Sequence, residues 1–171
     1  MNKELEHLAN YDLVTDLPNR LFFMDIVQST FKRADLTKKK VAIMFLDLDG
    51  FKAINDTLGH EAGDMILKVV GIRLSSVVRA SDTVARIGGD EFAISLGDIS
   101  DIKDVKQIAK TIIKEVNELC HYKGEECQVG VSVGISLYPD HGEDINVLMK
   151  KADEAMYEIK KTGKNHYAIF S

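Results

Sequence analysis

Cysteine and proline are scarce in this 171-residue chain, and tryptophan is absent. The two cysteines, Cys120 and Cys127, are too few for a scaffold of disulfide bonds, and no histidine or cysteine with zinc-site spacing surrounds them. We therefore expect two reduced thiols, as in a cytosolic protein, and neither a disulfide-rich secreted module nor a zinc-stabilised one.

The chain also lacks an excess of positive charge, a secretory leader and a long apolar segment. It has 22 basic against 27 acidic residues, a net charge of −5, which offers no electrostatic surface to duplex nucleic acid or an anionic membrane. The first ten residues are polar, and no apolar run approaches the length of about 20 residues that spans a bilayer. We expect no nucleic-acid partner and no membrane insertion. An anionic ligand would need a lysine cluster, a helix N-terminus or a metal ion.

The apolar content, 45% of the residues, is sufficient for the core of one domain. Periodicity predicts the element order α β α β β α β α β, after a short polar helix at residues 1–10 that carries Leu5 and Leu8 towards a partner helix or this domain. The strands are expected at residues 41–48, 82–87, 91–96, 128–138 and 166–170. Apolar residues at helical spacing mark four further helices. The first begins at Pro18 and carries Phe22, Ile26 and Phe31, and the second carries Ile66, Val70, Leu74 and Val77. The third carries Val105, Ile108, Ile112, Val116 and Leu119, and the last carries Leu148, Ala152, Ala155 and Ile159 and ends at Gly163. An antiparallel hairpin among helix-covered strands predicts an α+β fold, not a doubly wound parallel sheet.

Carboxylates are concentrated at strand ends. Asp47 and Asp49 end the apolar strand on the same side, so at most one should lie against the core, and a neighbouring strand could bring Asp90 beside Asp47. A calcium loop is excluded because Gly50 is the fourth residue from Asp47, not the sixth, and no glutamate stands at the twelfth position. Two interpretations stay open on the residues alone: a Mg²⁺–phosphate site, or solvated turn carboxylates.

Five segments together resemble one known family. "RIGGDEF" (residues 86–92) is similar to the signature of GGDEF domains, the diguanylate cyclases. "DLVTDLPNR" (12–20) resembles the opening segment of that family, with Asp16 where glycine is more usual. The remaining three matches are "DLDGFKAINDTLGHEAGD" (47–64), "SVGISLYP" (132–139) and "ADEAMYEIKKTGKN" (152–165). All five segments stand in the expected order along residues 12–165.

The resemblance implies a reaction and an architecture. Two GTP molecules, one on each of two facing domains, condense to cyclic di-GMP with loss of two pyrophosphates. The implied fold is a mostly antiparallel central sheet surrounded by helices, with a ferredoxin-like core akin to the palm of nucleotidyl cyclases. Residues 11–171 would form this domain. Residues 1–10 would be the end of a linker or signalling helix from an upstream sensor domain, and the whole would be a bacterial cytoplasmic output module.

The resemblance also implies a metal site. Asp47 would bridge two Mg²⁺ or Mn²⁺ ions per active site, and Leu48 would contribute its backbone carbonyl. Asp90 would bind metal and act as general base for the 3′-hydroxyl, and Glu91 would be a further metal or water ligand. Gly88 and Gly89 would let the nucleotide approach the backbone, although an ordinary hairpin turn also uses such a pair.

Substrate contacts follow from the same matches. Asn55 and Asp64 would bind guanine, although an acid at the start of a helix also favours the helix dipole. His60 would contact the substrate or serve as a capping or second-shell residue. Lys52 would be catalytic, stabilising charge on the transferring phosphate, and the backbone N–H groups of Phe51 and Lys52 would contact the phosphates near a helix start. A lysine clamp would bind the terminal phosphates. The clamp consists of Lys160 and Lys164, with Lys164 at a position where many family members carry arginine; the alternative is a pair of cations at a helix C-terminus.

An inhibitory site is expected at "RASD", where Arg79 and Asp82 would bind cyclic di-GMP; the alternative is a solvated ion pair.

Two other functions are alternatives to catalysis. The domain could be a silent receptor for GTP or cyclic di-GMP that regulates a fused partner, or a structural dimerisation module. Competent residues at every catalytic position speak against the receptor, and the 47–64 block and the lysines are unexplained by the dimerisation module.

Overall fold

The computed structural model describes residues 2–171, and it confirms the α+β architecture. Its helices are α1 (Lys3–Asn10), α2 (Arg20–Thr37), α3 (Phe51–Leu58), α4 (His60–Val77), α5 (Ile102–Val116) and α6 (Ile145–Thr162). Its strands are β1 (Lys40–Asp49), β2 (Thr83–Gly88), β3 (Glu91–Ile99), β4 (Cys120–Tyr122), β5 (Glu125–Cys127), β6 (Gly130–Tyr138) and β7 (Tyr167–Ile169). Within this part of the chain no helix has the length and apolar character to cross a membrane.

The central sheet has the order β2-β3-β1-β6-β7, antiparallel except for the parallel pair β6–β7. Strand β1 lies at its centre and is buried on both faces, which explains its continuous apolar run. Side chains alternate between two cores: Met44 and Leu46 pack towards α4 and α5, while Ile43 and Phe45 pack towards α2 and α6. Asp47 lies an even number of residues from Ile43 and Phe45, so it is on the same face of the sheet, the one that α2 and α6 cover.

The helix α6 lies unusually close to the sheet. A Cβ atom built on Gly134 of β6 would be 1.8 Å from the backbone oxygen of Ala152 and 2.4 Å from the backbone nitrogen of Met156. Only glycine allows this approach. It sets the last turns of α6 beside the end of β1, where the carboxylates are.

Some sequence predictions need correction. Helix α2 begins at Arg20 and is capped by Asn19, so Pro18 precedes the helix. Its core face includes Phe23 and Val27, with Phe31 as expected, while Phe22 and Ile26 are only half-buried. The predicted face was off by one residue because apolar residues stand at both members of each adjacent pair, Phe22–Phe23 and Ile26–Val27, and the local pattern does not choose between them.

Other differences concern short elements. Helix α3 was not separated from α4, and the hairpin β4–β5 was missed because neither has enough residues to show a period. Leu119 lies beyond α5 and is 49% exposed. In α1, Leu5 and Leu8 are 55% and 53% exposed, so these two side chains do not bury a face of the helix against this domain.

Candidate functional site

The carboxylates of β1 and β3 meet at one edge of the sheet. Asp47 is the register partner of Glu91, and the backbone N–H of Leu48 donates to the carbonyl of Asp90 at 3.1 Å. Burial, together with the charge of Asp47, raises the pKa of both Asp90 and Glu91. Three like charges in a half-buried site favour a cation between them.

Lys160, on the last turns of α6, places an ammonium group in this cluster. Its Nζ lies 3.1 Å from Asp47 Oδ1, 2.5 Å from Asp49 Oδ1 and 3.2 Å from the carbonyl oxygen of Leu48. Burial opposes its charge, yet hydrogen bonds to Asp49 and Asp47 raise the pKa of Lys160. The close approach of α6 at Gly134 makes this contact across 111 residues of sequence possible.

The donor set fits a hard divalent cation. Among residues 2–171, no three His, Cys, Asp or Glu side chains are already arranged about one ion position. Mg²⁺ at nucleotide sites is ordinarily held by one or two carboxylates plus substrate phosphates and water, not by an all-protein cage. The carboxylates at Asp47 and Asp90 or Glu91, with the Leu48 carbonyl, supply the oxygen ligands that such an ion prefers.

The turn that carries Asp90 is held from outside the hairpin. Gly89 has φ +50°, and added Cβ atoms at Gly88 and Gly89 would meet no atom within 4 Å. The Arg86 guanidinium donates to the carbonyl of Gly89 at 2.8 and 3.0 Å and to Asp12 at 2.9 Å. The backbone at the turn is therefore open to a ligand yet fixed in place.

Arg86 and Asp12 were missed as supporting residues. Burial opposes ionisation of Asp12, but hydrogen bonds from Thr15 and Arg86 prevail and its pKa is lowered. The sequence contained a signal for both, since Arg86 is the first residue of "RIGGDEF" and Asp12 is the first residue of "DLVTDLPNR".

Asn55, one of the two residues expected to bind guanine, packs on Gly63 where α3 contacts α4. A Cβ atom built on Gly63 would lie 1.8 Å from Oδ1 of Asn55, so the amide of Asn55 occupies space that only glycine leaves free. The next residue, Asp64, is exposed. Gly63 was not recognised from the sequence as the residue that permits this juxtaposition.

Four further expected residues lie at the starts of α3 and α4 and directly after α6. Phe51 is half-buried at the start of α3, directly after Gly50 with φ +86°, and Lys52 and His60 are exposed. His60 is the first residue of α4, whose N-cap Gly59 has no side-chain cap, so His60 does not act as a cap. Lys164 is exposed in the turn after α6, with φ +64°.

Arg79 and Asp82 form a separate cluster on the opposite end of β3. The Asp82 side chain is 0% exposed and accepts hydrogen bonds from Arg79 Nε and Nη2 at 3.0 Å and from the Gly97 N–H at 3.1 Å. Arg79 Nη2 also donates to the Gly97 carbonyl at 2.5 Å. The Asp82 side chain is thus buried while Arg79 is half-exposed, and contact of Asp82 with any ligand requires Arg79 to turn away.

An open groove of about 450 Å³ runs beside this cluster. It is bounded by Arg79 and by apolar or aromatic residues of the N-terminal segment and α2: Tyr11, Leu17, Pro18, Phe22 and Ile26. A planar ligand held by Arg79 would have apolar surface next to it.

Comparison with known proteins connects these features to one family. The family model described as "Diguanylate cyclase, GGDEF domain" matches residues 9–166. Two relatives come from Pseudomonas aeruginosa. The bifunctional diguanylate cyclase/cyclic di-GMP phosphodiesterase MucR is 39% identical over 99% of this chain, and the cyclic di-GMP phosphodiesterase NbdA is 40% identical over 98%. The chain spans 24% and 21% of the lengths of these relatives.

A solved structure supports the same relationship. The GGDEF domain of TpbB, also called YfiN, from Pseudomonas aeruginosa has a TM-score of 0.91 and 36% sequence identity, with 94% of each chain covered. The sheet order and the flanking helices of the present chain are therefore those of a known architecture.

Proposed function

The chain belongs to the GGDEF family of diguanylate cyclases, and we propose that it condenses two GTP molecules to cyclic di-GMP with release of two pyrophosphates. The observation that carries the proposal is the meeting of Asp47, Asp90 and Glu91 at one sheet edge beside Lys160. Acidic ligands for a cation and a basic group for phosphate are both required for phosphoryl transfer.

The chemistry would divide among the residues of this edge. Asp90 accepts the proton of the 3′-hydroxyl, whose oxygen bonds to the α-phosphorus of the facing nucleotide while the bond to pyrophosphate breaks. Lys52, Lys160 and Lys164 balance the phosphate charge. Mg²⁺ or Mn²⁺, two per active site and held by Asp47, the Leu48 carbonyl, Asp90 and Glu91, would supply charge neutralisation and acidify the hydroxyl.

Two facing copies are needed because each domain would hold one GTP. The 3′-hydroxyl of one nucleotide must reach the α-phosphorus of the other in line, and both bonds must form to close the ring. We therefore propose a homodimer as the active species, fused to an upstream sensor domain. Fusion to a dimeric coiled coil should raise the rate per domain if the isolated chain is mostly monomeric.

Guanine selectivity would come from Asn55 and Asp64, with Phe51 and His60 at the rim of the same site. A carboxylate at residue 64 accepts from N1–H and the exocyclic amine of guanine, and ATP offers neither group. Such a site can discriminate by up to about 10⁴-fold.

We predict that Gly63→Ala weakens GTP binding and lowers the preference for GTP over ATP by about tenfold or more, because the new methyl displaces the Asn55 amide. Competition binding with both nucleotides checks this. Gly71→Ala, on the same helix and with a looser 3.2 Å contact to Leu17, is the matched control. Equal selectivity in the two variants would contradict the proposed role of Asn55.

The decisive test is chromatography of nucleotides after incubation with GTP and Mg²⁺ or Mn²⁺. The parent chain should form cyclic di-GMP and Asp90→Asn should not. Asp101→Asn, which removes the same charge and keeps a good helix cap, should retain activity. Absence of product from a coiled-coil fusion that still binds GTP would contradict catalysis.

A silent receptor is the second candidate. The observation that favours it is that NbdA, 40% identical over this segment, is named only as a phosphodiesterase. In that case GTP or cyclic di-GMP binding would change the activity of a fused partner while the GGDEF chain formed no product.

We also propose product inhibition at Arg79 and Asp82. Arg79 has the fork geometry that binds guanine O6 and N7, and the adjacent groove supplies apolar surface. Asp82 would hold Arg79 in place or, after Arg79 turns, accept from guanine itself.

A further inference from the structure

Asp49 connects three separate parts of the chain beside the proposed active site. Its side chain is 9% exposed, although it is charged. It accepts from Ser132 Oγ of β6 at 2.9 and 3.0 Å, from Lys160 Nζ of α6 at 2.5 Å, and from the backbone N–H of Asn165 at 2.8 Å. A carboxylate with this many donors is fully satisfied and rigid.

The contact with Asn165 fixes the turn that carries Lys164. Lys164 and Asn165 have φ values of +64° and +49°, a conformation that needs support from its surroundings. The Asn165 side chain accepts from the Val131 N–H at 3.2 Å, and a Cβ atom on Gly130 would lie 2.7 Å from its Oδ1. Asp49 and β6 therefore hold the turn from two sides.

Asp49 differs from Asp47 in its contacts. Asp47 pairs across the sheet with Glu91 and belongs to the proposed metal site, so a bound cation would draw it away from Lys160. Asp49 has donors of its own on β6 and in the turn after α6, and it remains available to Lys160 when Asp47 binds metal.

We propose that Asp49 is a positioning residue for the lysine clamp, holding Lys160 directly and Lys164 through the backbone of Asn165. This inference rests on the proposed function, because it assigns both lysines to the terminal phosphates of GTP. Asp49 itself touches no phosphate in this proposal. It acts by keeping the two ammonium groups in one geometry.

The test compares GTP with GMP binding by calorimetry in Mg²⁺, with all variants in an Asp90→Asn background that stops turnover. Asp49→Asn should weaken GTP binding by about tenfold to 100-fold and leave GMP binding unchanged, since only GTP reaches the clamp. An asparagine presents an NH₂ group to one of the donors that the carboxylate accepts, so it cannot hold all three parts.

A double-mutant comparison separates positioning from folding. In a chain that also carries Lys160→Met and Lys164→Met, Asp49→Asn should cause no further loss of GTP affinity. Asp144→Ala is the matched control: it removes the N-cap of the same helix at its far end and should leave GTP affinity unchanged.

Three results would overturn the inference: equal losses for GTP and GMP, a loss that persists without the lysines, or tighter GTP binding after Asp49→Asn. The last would mean that Asp49 merely repels phosphate. A parent chain that binds neither nucleotide would overturn the proposed function itself, and the inference with it.

Discussion

The two charged clusters at opposite ends of β3 differ in how their charges are balanced. At one end, Asp47, Asp90 and Glu91 outnumber the single ammonium group of Lys160, and the pKa values of Asp90 and Glu91 are raised. At the other end, the Asp82 carboxylate accepts from the Arg79 guanidinium and from the backbone N–H groups of Arg79 and Gly97, so its negative charge is balanced.

This difference in charge balance indicates which of the two clusters needs a bound cation. Excess negative charge in a half-buried position is unfavourable until a cation arrives, so the first cluster is suited to metal and phosphate chemistry. The second cluster has its charges balanced without a ligand, and a ligand that contacts Asp82 must displace the half-exposed Arg79 guanidinium. The comparison leads to four expected outcomes.

The largest effect is expected at the first cluster. Asp90→Asn should lower the rate of cyclic di-GMP formation by about 10²- to 10⁴-fold, the usual contribution of a general base, and this loss should be larger than the loss of GTP affinity that follows from its place among the metal ligands. Initial rates and equilibrium binding, measured separately, check this. A parallel loss of binding would show that Asp90 serves mainly as a ligand.

The second cluster should respond in stability and regulation. Arg79→Ala removes the guanidinium from the Asp82 carboxylate, which keeps only the backbone N–H donors of residue 79 and Gly97, and we expect a loss of about 1 kcal/mol in the free energy of unfolding. Basal activity should persist while inhibition by cyclic di-GMP disappears. Urea unfolding and product titration measure both, and unchanged product binding would refute the inhibitory site.

A cation should distinguish the clusters directly. Lys160→Met should destabilise the chain in EDTA, by about 1 kcal/mol or more, because Asp47 and Asp49 lose their shared ammonium group. Millimolar Mg²⁺ should restore part of this loss, since an ion can replace that charge. Mg²⁺ should restore nothing in Arg79→Ala, and equal rescue of both variants would contradict the comparison.

The smallest effect concerns pH in the absence of metal. A carboxyl group whose pKa is raised on folding stabilises the fold below its unfolded pKa, and this contribution is lost as pH rises through the folded value. In EDTA, Asp90→Asn should therefore unfold at a higher temperature than the parent near pH 7, with the gap closing towards about pH 4. Thermal unfolding across this range tests the sign.

Much of the site was predictable because its residues occur in short, ordered segments. The strand at residues 41–48, the hairpin around Gly88 and Gly89 and the acids beside them follow from local patterns, and the structure brings Asp47 beside Glu91 as neighbouring strands require. Helix α6 and its end at Gly163 were also correctly predicted.

Other features depended on contacts between distant residues. Asp49 stands in the same local pattern as Asp47. Its role as a residue that joins separate segments depends on hydrogen bonds from Ser132 and Asn165, which are distant in the sequence. The one-residue error in the core face of α2 arose because two adjacent stripes of that helix are apolar, and only packing against the sheet selects the one with Phe23 and Val27.

By itself the sequence determined the order of elements, the family and the identity of the acidic and basic groups, since these depend on local spacing. Tertiary structure alone decided which charges are balanced. Lys160 reaches Asp49 because Gly134 lets α6 approach the sheet, and Asp82 is buried because Gly97 and Arg79 enclose it. Burial and distance set the cost of a charge, and both are properties of the packed chain.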